Sequence, residues 1–202
     1  MPRRDAAANR AALLEAARLE LNRDPEASLE TIALAAGLSR RSVYSHFRSR
    51  DELRLELLRQ GIARVTAAFA APPHADPVVD LCLIAATLWR EVESARLMTL
   101  FALRGPFKQL TAEALAGLRE RALDDVRRGQ ATGGVRDDIA ADTLAHLLES
   151  GIVGVLDEAS REHLGDEATH GVLLRLVLGL LGHGWREAAA LIDTRHELDW
   201  TA

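Results

Sequence analysis

The chain has 202 residues, a formal net charge of −5 and 48% hydrophobic residues, so it can bury the core of one large domain or of two small ones. Its single cysteine, Cys82, excludes an intramolecular disulfide and every multi-cysteine metal site. The N-terminus lacks the apolar core of a signal peptide, and the longest strongly apolar run, 172–182, is shorter than the ~20 residues that span a bilayer. We therefore expect a cytoplasmic protein without a membrane segment.

The charge is distributed unevenly along the chain. Residues 1–60 carry 11 basic and 9 acidic side chains, whereas the remaining residues carry 14 basic and 21 acidic ones. Segment 37–50 contains four arginines and one histidine but no acidic residue. Although the chain as a whole is acidic, a local basic surface of this kind is typical of contact with a polyanion.

Proline and glycine divide the sequence into helical segments, and alternating strand patterns of useful length are absent. We predict an all-α protein. Its N-terminal part begins with a helix that carries Leu14, Ala17 and Leu21 on one stripe. Two short helices then follow the N-caps Ser28 and Ser39, and a longer helix comes after them. The predicted ranges are 7–22, 29–36, from the Ser39 cap through 46, and 50–70.

A proline-rich segment, 71–77, is the clearest break in the chain, because its three prolines cannot continue a helix. Beyond it the pattern predicts five more helices, at 78–92, 94–104, 108–130, 139–159 and 168–190. We divide the chain into an N-terminal domain at 1–52 and a C-terminal domain at 53–202.

The two short helices have the outline of a helix-turn-helix motif. Ile32 and Ala36 share one face of the first helix, and Val43 and Phe47 share one face of the second, so an apolar contact sets their crossing. Gly37 occupies the turn, where a positive φ or a lack of space favours glycine. The solvent face of the second helix then presents hydrogen-bonding side chains, namely Arg40, Arg41, Ser42, Tyr44 and Ser45.

Residues 28–53 resemble, without a gap, the DNA-binding signature of the tetracycline-repressor-like (TetR) family. The matching motifs are Ile32-Ala33, Ala36-Gly37-Leu38-Ser39, Tyr44-x-His46-Phe47 and Ser49-Arg50-x-x-Leu53. Two positions depart from the family pattern, since the turn at 22–27 lacks a glycine and Arg50 stands where lysine is common. The resemblance implies a homodimer whose recognition helices enter the major grooves of a near-palindromic operator in double-stranded DNA. By the same resemblance, 1–52 is a helix-turn-helix DNA-binding domain and 53–202 is a C-terminal effector-binding and dimerisation domain. Binding of a small-molecule effector to the C-terminal domain is expected to release the DNA.

The side chains of this segment suit two kinds of DNA contact. Arg40 and Arg41 can each donate a fork of hydrogen bonds to guanine O6 and N7, or hold phosphates. We expect Tyr44 and His46 to hydrogen-bond phosphates. Ser28 and Ser39, at two helix N-termini, and the cation of Arg50 are expected to contact the sugar-phosphate backbone. The predicted DNA-binding set is Ser28, Thr31, Ser39, Arg40, Arg41, Ser42, Tyr44, His46 and Arg50.

By the same resemblance, the region 78–130 is the best candidate for the effector cavity. Three aromatic residues there stand near charged side chains, which suits a largely apolar pocket with a few polar groups. Ordinary core packing is the competing interpretation of each of them. The candidate residues are Trp89, Arg90, Glu93, Met98, Phe101, Arg104 and Phe107.

The helices at 139–159 and 168–190 contain glycines three residues apart, at 151 and 154 and at 179 and 182. Glycine in a helix interior costs ~1 kcal/mol relative to alanine, so flat faces for close helix packing are one explanation. We predict a four-helix dimer interface with Leu148, Gly151, Ile152, Val155, Leu173, Leu176, Val177 and Leu180. The alternative is that both faces are buried within one subunit.

No sequence pattern indicates catalysis or a cofactor. The histidines are scattered, and neither HExxH, GxGxxG nor GxxxxGK[ST] occurs, so we expect no metal, no cofactor and no enzyme activity. The sequence favours a DNA-binding transcription regulator of the repressor type. Two alternatives stay open: an activator or regulator without a ligand, and a helical protein-interaction module whose helix-turn-helix no longer binds DNA.

Overall fold

The computed structural model describes residues 2–92, 99, 102–103, 105–161 and 164–200. These residues form ten α-helices and no strands, which confirms the predicted all-α class. The first five helices are α1 Pro2–Arg23, α2 Leu29–Ala35, α3 Arg40–His46, α4 Arg50–Ala68 and α5 Pro77–Val92. The next five are α6 Lys108–Ala114, α7 Ala116–Thr132, α8 Ala141–Arg161, α9 Asp166–Leu181 and α10 Trp185–Thr194, followed by a short 3₁₀ helix at His196–Leu198.

Two predicted helices are in fact pairs of helices. The prediction at 108–130 was wrong at Leu115, whose φ of −97° and ψ of 9° interrupt the helical backbone between α6 and α7. The prediction at 168–190 was wrong at Gly182, because its φ of 106° ends α9 in a left-handed turn before α10 begins. Most of the predicted helix at 94–104 lies outside the described residues, and the described positions 99, 102 and 103 are helical.

The chain forms two compact units. The N-terminal unit comprises residues 1–64 and 94–111, and the C-terminal unit comprises residues 65–93 and 112–202. The predicted domain boundary at 52 and 53 stays a prediction. Among the described residues, no helix combines the length and the apolar composition that crossing a bilayer requires.

The core of the N-terminal unit joins α1, α2, α3 and the start of α4. The predicted stripe of α1 is buried, with Leu14 7% exposed and Ala17 and Leu21 fully buried. They pack in one cluster with Ile32 and Leu53. Full burial of a leucine or isoleucine side chain stabilises a fold by about 1.5–3 kcal/mol, so this cluster holds the two short helices, α2 and α3, against α1 and α4.

The core of the C-terminal unit lies between α5, α7, α8 and α9. It contains Cys82, Leu144, Leu174 and Leu178, all at most 1% exposed. A glycine lets two helices approach closely here, because a Cβ added at Gly151 of α8 would lie 2.9 Å from Leu176 Cδ2 of α9. The glycine at this position therefore has a packing role within one chain.

Two buried carboxyl groups meet inside the C-terminal unit. Asp80 of α5 and Asp125 of α7 are each 1% exposed. Arg121 donates to both oxygens of Asp80 over 2.9 and 2.7 Å, and Arg128 donates to Asp125 Oδ1. Burial and a hydrogen bond with Asp80 raise the pKa of Asp125 to about 7. Burial alone would also raise the pKa of Asp80, but its hydrogen bonds with Arg121 and Asp125 outweigh burial and lower it.

This pair also holds the loop that precedes α5. Asp80 Oδ1 accepts a hydrogen bond of 2.7 Å from the backbone N–H of His74. Arg121 donates to the carbonyl of Ala71 over 3.2 Å, and Arg128 donates to the carbonyl of Ala75 over 3.2 Å. The proline-rich break seen in the sequence is therefore an ordered segment whose backbone polar groups are paired.

Candidate nucleic-acid interface

Helices α2 and α3 begin at the two predicted N-caps. Ser28 Oγ accepts a hydrogen bond of 3.0 Å from the N–H of Thr31, and Ser39 Oγ accepts one of 3.2 Å from the N–H of Ser42. Between the helices, Gly37 adopts a φ of 68°, the left-handed region that a side chain disfavours. The sequence therefore predicted both caps and the glycine turn correctly.

A buried apolar contact sets the crossing of α2 and α3. Ile32 and Val43 are fully buried and Phe47 is 1% exposed, in the same cluster. The guanidinium of Arg10 lies 5.3 Å from the centre of the Phe47 ring and ties α1 to the end of α3. Because these contacts are rigid, the opposite face of α3 is presented in a fixed orientation.

The exposed face of α3 carries most of the predicted DNA-binding side chains. Arg40, Arg41, Tyr44 and Ser45 are exposed, whereas Ser42 and His46 are half-buried. The side chain of Arg40 is 75% exposed. The exposed face of α3 therefore offers two guanidinium groups in its first turn, at the positive end of the helix, and a phenol hydroxyl one turn later.

One acidic side chain that the sequence reasoning missed lies on this face. Glu30 of α2 pairs with Arg40, with 3.1 Å between Glu30 Oε1 and Arg40 Nε. The hydroxyl of Tyr44 donates to the same Glu30 oxygen over 2.9 Å, and the Arg40 guanidinium lies 5.6 Å from the Tyr44 ring centre. Hydrogen bonds from its own backbone N–H and from Tyr44 lower the pKa of Glu30. The signal in the sequence was an acidic residue in the first turn of α2.

Arg50, the last predicted DNA contact, is bonded to the loop between α1 and α2. Its guanidinium donates to the Glu26 carbonyl over 2.6 Å and lies 2.7 Å from the Glu26 carboxylate. Arg54, only 4% exposed, contacts the same loop through the Pro25 carbonyl and Glu26. The sequence reasoning missed Arg54, because nothing local marks an arginine of α4 as buried. These two arginines fix the loop that leads into Ser28.

A comparison with protein families supports this geometry. Residues 12–57 match the family model for bacterial regulatory proteins of the tetR family. That range covers most of α1, all of α2 and α3, and the first part of α4. The chain carries the TetR-family N-terminal domain.

Solved structures of transcription regulators share the fold of most of the chain. A TetR-family regulator from Rhodococcus sp. is 18% identical with a TM-score of 0.64, covering 86% of this chain and 99% of its own. SmeT, the repressor of the Stenotrophomonas maltophilia multidrug efflux pump SmeDEF, is 22% identical with a TM-score of 0.62 and covers 84% and 88%. FadR from Bacillus subtilis, solved with stearoyl-CoA, is 14% identical with a TM-score of 0.63 and covers 85% and 97%. A search of curated protein sequences finds no match.

The described residues of the predicted effector set differ in burial. Trp89 is 2% exposed in the core of the C-terminal unit, where its Nε1–H donates to the Asp166 carbonyl over 3.1 Å. Arg90 is exposed, and Phe107 is half-buried in the N-terminal unit. The other four predicted residues, Glu93, Met98, Phe101 and Arg104, lie outside the described residues. The buried, hydrogen-bonded Trp89 fits the competing core-packing interpretation.

The predicted dimer residues fall into two groups. Leu148, Leu173 and Val177 are at most 4% exposed in the core of one chain, as the alternative of burial within one subunit requires. Around Gly151, the side chains of Leu176 and Leu180 pack within the same unit. The rest of the predicted set is half-buried, namely Ile152, Val155, Leu176 and Leu180.

Proposed function

We propose that the chain is a sequence-specific DNA-binding repressor that acts as a homodimer and leaves its operator when a small-molecule effector binds. The observation that carries the DNA-binding part is α3 itself. It is a capped helix whose exposed first turn presents Arg40 and Arg41 on a segment free of acidic residues. Such a helix has the donors that read guanine in the major groove and hold phosphates.

The homodimer is supported by the exposed faces of α8 and α9. Leu147 of α8 is 42% exposed and Val172 of α9 is 44% exposed. Seven residues after each of them, Gly154 and Gly179 have open space where a Cβ would lie. Each helix thus exposes one apolar side chain and, two turns later on the same face, a glycine, which suits close packing against a second copy about a two-fold axis.

The effector part rests on the shared fold. Relatives with this fold have been solved with small molecules, FadR with stearoyl-CoA and SmeT with triclosan. For this chain the candidate binding region stays 78–130. A test is to add triclosan or an acyl-CoA to the complex with selected DNA and to follow release by fluorescence anisotropy. Release at micromolar ligand supports the proposal, and a complex that no compound of a broad apolar and anionic panel dissociates contradicts it.

The DNA-binding part is tested by selecting sites from a random duplex library with the wild-type chain. Binding of the selected duplex is then measured by anisotropy for wild type, Arg40→Ala and Arg41→Ala at several salt concentrations. Arg23→Ala is a matched control, because the side chains of Arg23 and Arg40 are both 75% exposed and each pairs with a glutamate at 3.1 Å. We expect a loss of tenfold or more for Arg40→Ala or Arg41→Ala, and little change for Arg23→Ala.

Two outcomes contradict this proposal. If no sequence is enriched over the random library, the chain does not read DNA, and an interaction module becomes the better explanation. If sedimentation shows only a monomer at micromolar concentration, the two-fold arrangement is wrong. An enriched palindromic site together with a dimer supports both parts.

A further inference from the structure

The ion pair between Glu30 and Arg40 is unexpected on a DNA-binding face, because a carboxylate repels phosphates. No other acidic side chain bonds to α3 among the residues that the structure describes. The carboxylate is ionised at neutral pH, and it holds two of the predicted DNA contacts at once, the Arg40 guanidinium and the Tyr44 hydroxyl. A side chain that weakens attraction to every DNA needs a compensating role.

The geometry of the pair indicates that role. Glu30 contacts Arg40 through Nε, on the inner edge of the guanidinium. Both terminal nitrogens of Arg40 lie farther from Glu30 than Nε does, and the side chain is 75% exposed. A guanidinium donates through two nitrogens in a planar fork, and this terminal edge matches the O6 and N7 acceptors of guanine.

Resting on the DNA-binding function proposed above, we infer that Glu30 is a positioning residue that presents the terminal edge of Arg40 to one guanine of the operator. An unrestrained arginine side chain loses conformational entropy when it binds a base, and a side chain that is already held in one rotamer loses less of it. The negative charge of Glu30 meanwhile lowers affinity for DNA of any sequence. Glu30 therefore lowers the affinity for DNA of any sequence and raises the discrimination between sequences.

The test compares Glu30→Gln with Glu20→Gln in the full chain. Both changes remove one negative charge from the N-terminal unit, and both break a glutamate–arginine pair of 3.1 Å, but Glu20 lies on α1 and pairs with Arg23. Glutamine keeps an oxygen that can accept from the neutral Tyr44 hydroxyl, but it removes the charge that attracts the Arg40 guanidinium. Three duplexes are used: the selected site, a scrambled duplex, and the selected site with one guanine replaced by 7-deazaguanine. The replaced guanine is the one at which Arg40→Ala no longer distinguishes guanine from other bases.

We expect Glu30→Gln to lower the ratio of scrambled to selected Kd about tenfold, mainly because the scrambled duplex binds more tightly and the selected one no better. Glu20→Gln should change this ratio less than twofold. Replacing the guanine by 7-deazaguanine should weaken binding by the wild type, but it should change the affinity of Glu30→Gln very little. In the Arg40→Ala background, Glu30→Gln should leave the ratio unchanged within twofold, because the group that it positions is absent.

Each other result overturns the inference. If Glu30→Gln and Glu20→Gln shift the ratio equally, Glu30 acts only through net charge. If Glu30→Gln weakens all three duplexes in parallel and lowers the melting temperature, its role is structural. If Glu30→Gln still lowers the ratio in the Arg40→Ala background, it does not act through Arg40. Failure of the wild type to select any site is a different result, since it rejects the proposed DNA-binding function itself.

Discussion

Replacing Asp125 by asparagine should stabilise the protein above neutral pH. Asp125 Oδ2 is buried and has no hydrogen-bond partner among the described residues when both carboxyls are ionised. Its neighbour is the carboxylate of Asp80, so the contact becomes a hydrogen bond only when Asp125 holds a proton. The amide of Asp125→Asn supplies that donor permanently, and its oxygen can still accept from Arg128.

The sign of the pH dependence follows from the direction of the shift. The pKa of Asp125 rises from 3.8 in the unfolded chain to about 7 in the fold, so the folded state binds more protons between these values. Stability is therefore greatest in the acidic part of this window and falls as the pH rises through 7. One pKa unit corresponds to about 1.4 kcal/mol, and the free energy of unfolding should fall by about 3 kcal/mol between about pH 5 and about pH 8. The lowered pKa of Asp80 acts only below about pH 4, where stability falls as the pH falls.

Urea unfolding of wild type and Asp125→Asn across this pH range measures the effect. Asp124→Asn is the control, because this neighbouring carboxylate is exposed and, above pH 7, its removal changes the net charge by the same amount as Asp125→Asn. We expect Asp125→Asn to gain about 3 kcal/mol over the control at about pH 8 and to differ little at about pH 5. An equal loss of stability for Asp125→Asn at both pH values would refute a shared proton between Asp80 and Asp125.

Three further substitutions test local features by thermal or urea unfolding. Gly37→Ala should lower the free energy of unfolding by about 1–2 kcal/mol, because φ is 68° there. Gly61→Ala should raise it by up to about 1 kcal/mol, because Gly61 lies in the middle of α4 with open space for a Cβ. Equal effects of the two substitutions would contradict this account of the turn. Ser39→Ala should cost about 1 kcal/mol through the lost cap of α3, and no loss would mean that solvent replaces the cap. Gly129→Ala should cost about 2 kcal/mol because its Cβ overlaps Val135, and adding Val135→Ala should recover part of that loss, so strictly additive costs would exclude the overlap.

Much of the N-terminal unit was predictable from sequence because its structural signals are local. An N-cap needs a serine and the next three residues, and a left-handed turn needs a glycine at one position. Ser28, Ser39 and Gly37 all occupy their predicted roles. The exposed face of α3 follows from helical periodicity once Val43 and Phe47 are assigned to the core.

Local signals also explain where the sequence reasoning failed. Leu115 separates α6 from α7, although the break itself is neither a glycine nor a proline. Gly182 ends α9, although the apolar pattern of the sequence continues beyond it. The glycines of α8 and α9 indicated close packing in general. Gly151 meets Leu176 of the same chain, whereas Gly154 faces open space, and helical spacing alone cannot distinguish these two environments.

The sequence by itself determined the helical class, the capped helix-turn-helix and the basic face of α3, since each depends on residues within one or two turns of each other. Only the tertiary structure paired Asp80 with Asp125, buried Arg54 against the loop before α2, and placed Glu30 on Arg40. These contacts join groups on different elements of the fold, and their energies depend on burial and distance, which a linear pattern does not contain. Glu30 is a single acidic residue in the sequence, and its pairing with Arg40 appears only when the crossing of α2 and α3 brings the two side chains together.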